Sequence, residues 1–158
     1  MTKEEKRIQV VSACIAHQQQ IAATAKQEMD SAQQQSNDYG ANVDRYDSFR
    51  TKMMRSRDMY ARQYANANTS VRYLQDMLKM PVFTSAEHGA VVVTDKQKFF
   101  LSVGAGKFMV PFRQVADKPQ EVFFAISANV PIYQAIRGKK EGDGFAFNGM
   151  TQKIVEIY

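Results

Sequence analysis

The stretch DMLKMPVFTSAEHGAVVVTD, residues 76–95, separates two kinds of sequence pattern. Before Pro81, apolar residues recur every three or four positions, as on one stripe of a helix. After it, short runs rich in β-branched and aromatic residues alternate with turn residues, the pattern of strands. Pro81 closes the helical series, so the chain divides into a helical part, residues 1–79, and a β-rich part, residues 80–158.

Working back from Pro81, the seam of the second helix runs Leu78, Leu74, Val71, Ala67, Tyr64, Tyr60, Met53, Phe49 and Tyr46. The first helix runs from Lys3 to about Gln35 without proline or glycine, with seam positions at Ile8, Val11, Ile15, Ala22, Ala25, Met29 and Ala32 and with Gln18 as the polar member. Each stripe is narrow, and at about 1.5 Å per residue each helix spans roughly 45–50 Å. Two such helices must face each other, which predicts an antiparallel coiled-coil hairpin. Its tip falls at residues 37–47, where Asn37, Asp38, Gly40 and Asn42 supply turn chemistry.

Working forward, six runs read as strands: HGAVVVTD, KFFLSVGAG, KFMVPF, EVFFAIS, GFAFNG and TQKIVEIY. Between the fourth and fifth, VPIYQAIRGKKEGDG reads as a short helix begun near Pro131 and ended by Gly138. The expectation is an α+β chain: a long hairpin followed by a small antiparallel sheet with one short helix. A domain of 79 residues is marginal alone, so the hairpin base, Leu74 to Met80, is expected to pack against it.

Composition narrows the chemistry. The single cysteine, Cys14, excludes an internal disulfide, and with two histidines it cannot make a four-ligand zinc site without carboxylates. No apolar run approaches the roughly 20 residues of a transmembrane helix, and MTKEEKRIQ does not read as a signal peptide, so a cytoplasmic location without membrane contact is expected. The net charge of +5 mildly favours nucleic-acid-handling partners. It is unevenly spread: residues 45–79 carry eight Lys or Arg against three Asp, including Arg45, Arg50, Lys52, Arg55 and Arg57 near the tip. These are either a solvated helix face or contacts to nucleic acid and to a negatively charged channel.

Other candidates have plainer readings. Cys14 and His17 lie three apart on one helix, but no orienting partner or oxyanion loop accompanies them, and they read as seam-flanking residues. His88 beside Gly89 reads as a turn. GAGK, residues 104–107, lacks the remaining residues of a phosphate loop and reads as a β-turn. Tyr46 fits the seam, whereas Tyr39 is either tip packing or a stacking group. The tip aspartates Asp38, Asp44 and Asp47 either complement the start of the second helix or are displayed for use. No complete catalytic constellation can be assembled, so a stand-alone enzyme is not expected.

The order hairpin, acidic tip and sheet domain ending in VPIYQAIRGKKEGDGFAFNG resembles the Gre transcript-cleavage factors of bacterial RNA polymerase. Their C-terminal signature has the form SPIGxALxGKKxGD, matched here by Pro131, Ile132, Ala135, Gly138, Lys139, Lys140, Gly142 and Asp143. Val130 and Tyr133 depart from it, standing where the motif has serine and glycine. The chain is most similar to divergent Gre-like proteins of Bacteroidetes-type bacteria, whose AGDKYETGR segment is replaced here by ANVDRYDSFR, with Asp44, Tyr46 and Arg50 shared.

The resemblance implies an FKBP-like sheet domain of the Gre C-terminal type, and it does not imply isomerase activity. It implies docking on RNA polymerase through Ser127, Ala128, Asn129, Val130, Pro131 and Ile132, and entry of the coiled coil into the secondary channel beside nascent RNA and DNA. In that family the tip pattern DLxENAEY places two carboxylates on a polymerase-bound Mg²⁺, which polarises a water for phosphodiester cleavage. In the matching register Asp38 remains, as candidate catalytic and metal-assisting residue, but Ala41 replaces its partner. Asp44 or Asp47 could substitute. The expectation is therefore a monomeric regulator of elongation, pausing or initiation with weak or no cleavage stimulation and no cofactor of its own. An active cleavage factor using Asp38 with Asp44 or Asp47, and a coiled-coil scaffold unrelated to transcription, are the alternatives.

Overall fold

The computed structural model describes residues 1–38, 47–113, 117 and 119–158. Its elements are α1 (Lys3–Asp38), α2 (Asp47–Leu78), β1 (Val91–Thr94), β2 (Lys98–Leu101), β3 (Gly106–Val110), β4 (Glu121–Ile126), α3 (Pro131–Ile136), β5 (Gly144–Phe147) and β6 (Met150–Ile157). All six expected strands and the short helix are present. The first helix runs further than expected, because Asn37 and Asp38 form its last residues instead of the turn. Side-chain amides already bridge its final turns, where Gln33 donates to Asn37 Oδ1 at 3.0 Å. At 36 and 32 residues, α1 and α2 are about 54 and 48 Å long.

The chain forms two compact units, residues 1–16 with 73–158, and residues 17–72. The second unit is purely helical. Gln33, near the end of α1, accepts a hydrogen bond from Arg57, near the start of α2, at 2.6 Å, as an antiparallel pair requires. Its buried positions among the described residues are mostly alanines, Ala22, Ala25, Ala32 and Ala67, with Gln18, Ser36 and Val71. Side chains this small offer little apolar area and let two helix backbones lie close together.

The first unit holds the sheet, in the order β3-β4-β2-β1-β6-β5. The sheet is mixed where an antiparallel one was expected. The chain leaves β2, forms β3 at the edge and returns as β4 between them, so Phe99, Phe100 and Leu101 pair in parallel with Phe124, Ala125 and Ile126. A central strand covered on both faces needs consecutive apolar residues, and Phe99, Phe100 and Leu101 are all buried. Tyr133 and Ile136 of α3 pack with Val92, Phe99, Leu101, Phe145, Ile154 and Ile157 in the core.

Both helix ends in this unit join that structure. Lys6 pairs with Glu156 at 3.0 Å and lies 5.9 Å from the ring centre of Tyr158, while Lys3 bonds the Ile157 carbonyl at 3.1 Å and the Glu141 carboxylate. At the base of α2, Leu74 and Met77 are buried, and the Met80 sulfur lies where a Cβ on Gly89 would meet it. The hairpin base thus packs on the sheet domain as expected. The seam, however, rotates at the start of α1: Ile8 is 46% exposed and Arg7 is 2% exposed in its place.

Candidate functional site

Of the tip carboxylates, Asp38 is the exposed last residue of α1, and Asp47 opens α2. Tyr39, Gly40, Ala41, Asn42, Asp44, Arg45 and Tyr46 lie outside the described residues, as does the side chain of Asp47. Among the described residues, no three His, Cys, Asp or Glu side chains come together as a metal site. The described part of the tip thus presents one carboxylate, Asp38, which fits a metal ion only as a single ligand beside donors supplied by a partner.

The basic candidates on α2 separate into two groups. Arg57 is engaged, donating to Gln33 and, through Nε and Nη2, to Asp58 Oδ1 at 3.1 and 2.8 Å. The side chains of Arg50, Lys52 and Arg55 have no hydrogen bond or ion pair among the described residues. Lys52 and Arg55 line a shallow groove of about 480 Å³ with Ser48, Thr51, Ser56 and Met59. These positions follow helical spacing, so two cations and three hydroxyls share one stripe of α2. That stripe can hold phosphate oxygens by charge and by hydroxyl donation.

The segment 127–132 forms the turn from β4 into α3. Ala128, Asn129 and Pro131 are exposed, whereas Ser127, Val130 and Ile132 are half-buried, and the last two also pack against the core. The turn is held by Val130 N–H on the Ser127 carbonyl at 3.2 Å and by the Gln134 amide on the Ala128 carbonyl at 2.7 Å. Val130 stands at the N-cap of α3 and gives no side-chain cap, a bond that a serine could supply. Backbone and packing define this surface without it.

Tyr133 has a role that the sequence reading missed. It is 4% exposed, and its hydroxyl lies 3.1 Å from His88 Nδ1, while His88 Nε2 lies 2.5 Å from the Tyr73 hydroxyl. One imidazole therefore ties α2, the loop before β1 and α3 together. Burial lowers the pKa of His88 and raises that of Tyr133, so both are held neutral near pH 7. The missed signal was a histidine between two tyrosines far apart in sequence, which no local pattern reveals.

After α3, Gly138 and Gly142 take positive φ angles of 78° and 89°, and Asp143 Oδ2 accepts the Lys140 N–H at 2.9 Å. Ser85 bridges Lys140, and the Ala86 and Gly138 N–H groups donate to the Lys139 and Ala86 carbonyls at 2.7 and 2.8 Å. The glycines and the aspartate of GKKEGD are thus needed for the backbone path. Elsewhere, GAGK leads into β3 instead of a helix, and Cys14 is buried with its thiol pushed up to about 12, far from a nucleophile's range. None of the described helices is long and apolar enough to cross a membrane.

Comparison with known proteins matches the chain to no family model, no curated protein and no solved structure.

Proposed function

We propose that this chain is a Gre-like regulator of bacterial RNA polymerase. In this reading, it docks through the turn 127–132 and inserts its coiled coil into the secondary channel, and it modulates transcription by occupying that channel instead of by stimulating strong RNA cleavage. The observation that carries the reading is the pairing of a long helical hairpin with the GKKEGD turn, in which each signature glycine takes the left-handed conformation and Asp143 closes the loop. The cations of the Lys52 and Arg55 groove, unpaired among the described residues, suit a path lined by phosphates. Ala41, where the second tip carboxylate belongs, favours occupancy over cleavage.

Purified protein and core polymerase from the same cell test this together. Retention of the polymerase in a pull-down is expected, and no retention would sink the proposal. Addition to backtracked elongation complexes with Mg²⁺ is expected to release few or no short 3′ RNA fragments. Abundant fragments that disappear with Asp38→Ala would replace the occupancy mechanism with the cleavage one.

A further inference from the structure

On the face of the sheet turned away from α3 lies a cavity of about 300 Å³. Val92 and Phe99 pack with α3 in the core, so Val93 and Lys98, one residue along, lie on the opposite face. Register pairs Val93 with Lys98 on one side and with Glu156 on the other, and Tyr158 follows Glu156 by two residues. These four line the cavity with Lys6 from α1 and Glu121 from β4, while Met1, Phe112 and Pro119 add apolar wall. Contacts outside the cavity fix that wall: Phe112 meets Phe123 edge-on at 6.1 Å, and the Arg113 N–H donates to Gln9 at 2.9 Å.

The charges of the lining are balanced. Lys6 pairs with Glu156 at 3.0 Å and Lys98 with Glu121 at 2.7 Å, so each of the four charged side chains already has its partner. Tyr158 differs from them. It is 2% exposed, yet its hydroxyl has no hydrogen bond among the described residues. Ser102 Oγ is the one fully buried side-chain atom without a partner among those residues, so the Tyr158 hydroxyl keeps some open surface, and this cavity is the space that Tyr158 lines. Burial first, and then the Glu156 and Glu121 carboxylates, raise the pKa of Tyr158, so the phenol stays protonated and can donate.

We infer that this cavity binds a small uncharged aromatic molecule, whose ring lies among Met1, Val93, Phe112 and Tyr158 and whose carbonyl-type oxygen accepts the Tyr158 hydroxyl. Ligand sites run from about 300 to 1,000 Å³ and combine apolar walls with a few polar groups that orient the ligand. The volume here is at the lower end and suits one or two rings. A charged ligand would have to draw a lysine or a glutamate from its partner and leave the other unpaired. Every residue of the lining belongs to the sheet unit, and none belongs to the turn 127–132 proposed to dock on polymerase.

NMR titration of the isotope-labelled full chain with three molecules of one shape tests this: benzamide, which is uncharged, benzoate, an anion, and benzamidine, a cation. Millimolar benzamide should shift the amides of Val93, Lys98, Glu156 and Tyr158, and the two charged molecules should bind about fivefold more weakly. Tyr158→Phe keeps the ring and removes the hydroxyl. Because that hydroxyl has no partner to lose, the melting temperature should stay unchanged while benzamide weakens about fivefold, the worth of one hydrogen bond. Glu121→Gln, at a side chain 37% exposed, frees Lys98 and should raise the affinity for benzoate toward that for benzamide. Absence of shifts with millimolar benzamide would overturn the assignment, as would benzoate or benzamidine binding the native chain as tightly, or Tyr158→Phe binding benzamide undiminished. Tighter binding of N-acetyl-phenylalanine amide, with shifts spreading beyond the cavity, would give the site to a side chain of a partner protein and overturn the small-molecule assignment.

Discussion

Arg7 places a full charge at a position 2% exposed, with no ion pair to a carboxylate among the described residues. Its guanidinium instead donates to backbone oxygens: Nη2 to Met77 at 2.9 Å, Nε to Met80 at 3.3 Å, and Nη1 to Gly89. Met77 lies in the last turn of α2, where the dipole is negative and its carbonyl has no helical N–H beyond that of Met80 at 3.1 Å, so the cation caps that end. The face of Phe83, 5.0 Å away, adds a cation–π contact. Arg7→Met should therefore lower stability by about 1–3 kcal/mol, because it takes the donor from the buried Gly89 carbonyl while the Met77 carbonyl keeps only the Met80 N–H, and the urea midpoint reads this directly. Arg7→Lys should restore only part of the loss, since an ammonium cannot span three carbonyls. The sequence pointed to Ile8 as the seam residue here, and the reason lies outside helix periodicity. Arg7 is drawn inward by carbonyl groups 70 and 82 residues further along the chain.

At the scale of elements, local patterns carried the strands and helices but not their partners. KFFL and EVFFAI announce themselves as strands by composition, yet nothing local says that they lie side by side in parallel with β3 outside them. The same blindness hid the Tyr73–His88–Tyr133 chain, whose members come from α2, a turn and α3. Of the site, the GKKEGD turn was legible because glycine and aspartate mark special backbone. The histidine chain has a consequence for pH. Burial lowers the pKa of His88 in the folded state, so the unfolded chain binds a proton more readily. Stability is then fully present above the ordinary histidine value of about 6.5 and falls as the pH drops below it toward the folded value. Glu141, whose pKa is lowered by the hydrogen bonds from Lys3 and from the Ile157 N–H, loses its contribution only below the ordinary carboxylate range. Urea midpoints at about pH 7.5 and 5.5 should therefore differ in the native chain and differ less in His88→Gln, which keeps polar contacts without titrating.

For the whole molecule, the change of pattern at Pro81 marks where the secondary structure changes, and the compact unit around the sheet reaches across it. That unit takes in residues 1–16 and 73–79 as well as the β-rich part. Several of its ties run between these segments: Lys6 to Glu156, Lys3 to Glu141 and Ile157, Arg7 to Gly89, Tyr73 to His88, and the Arg113 N–H to Gln9 at 2.9 Å. Leu74 and Met77 add fully buried apolar side chains, each worth about 1.5–3 kcal/mol of burial. A domain of this size has a net stability of only about 5–10 kcal/mol, so these contributions together decide whether it folds. A fragment of residues 80–158 should accordingly show no cooperative thermal transition by circular dichroism. A chain in which residues 1–16 are joined by a short flexible linker to residues 73–158 should regain one, because it restores both helix ends and the capping of Met77 by Arg7. A sharp transition in the shorter fragment would mean that the sheet and α3 suffice alone and that the helix ends contribute little to this unit.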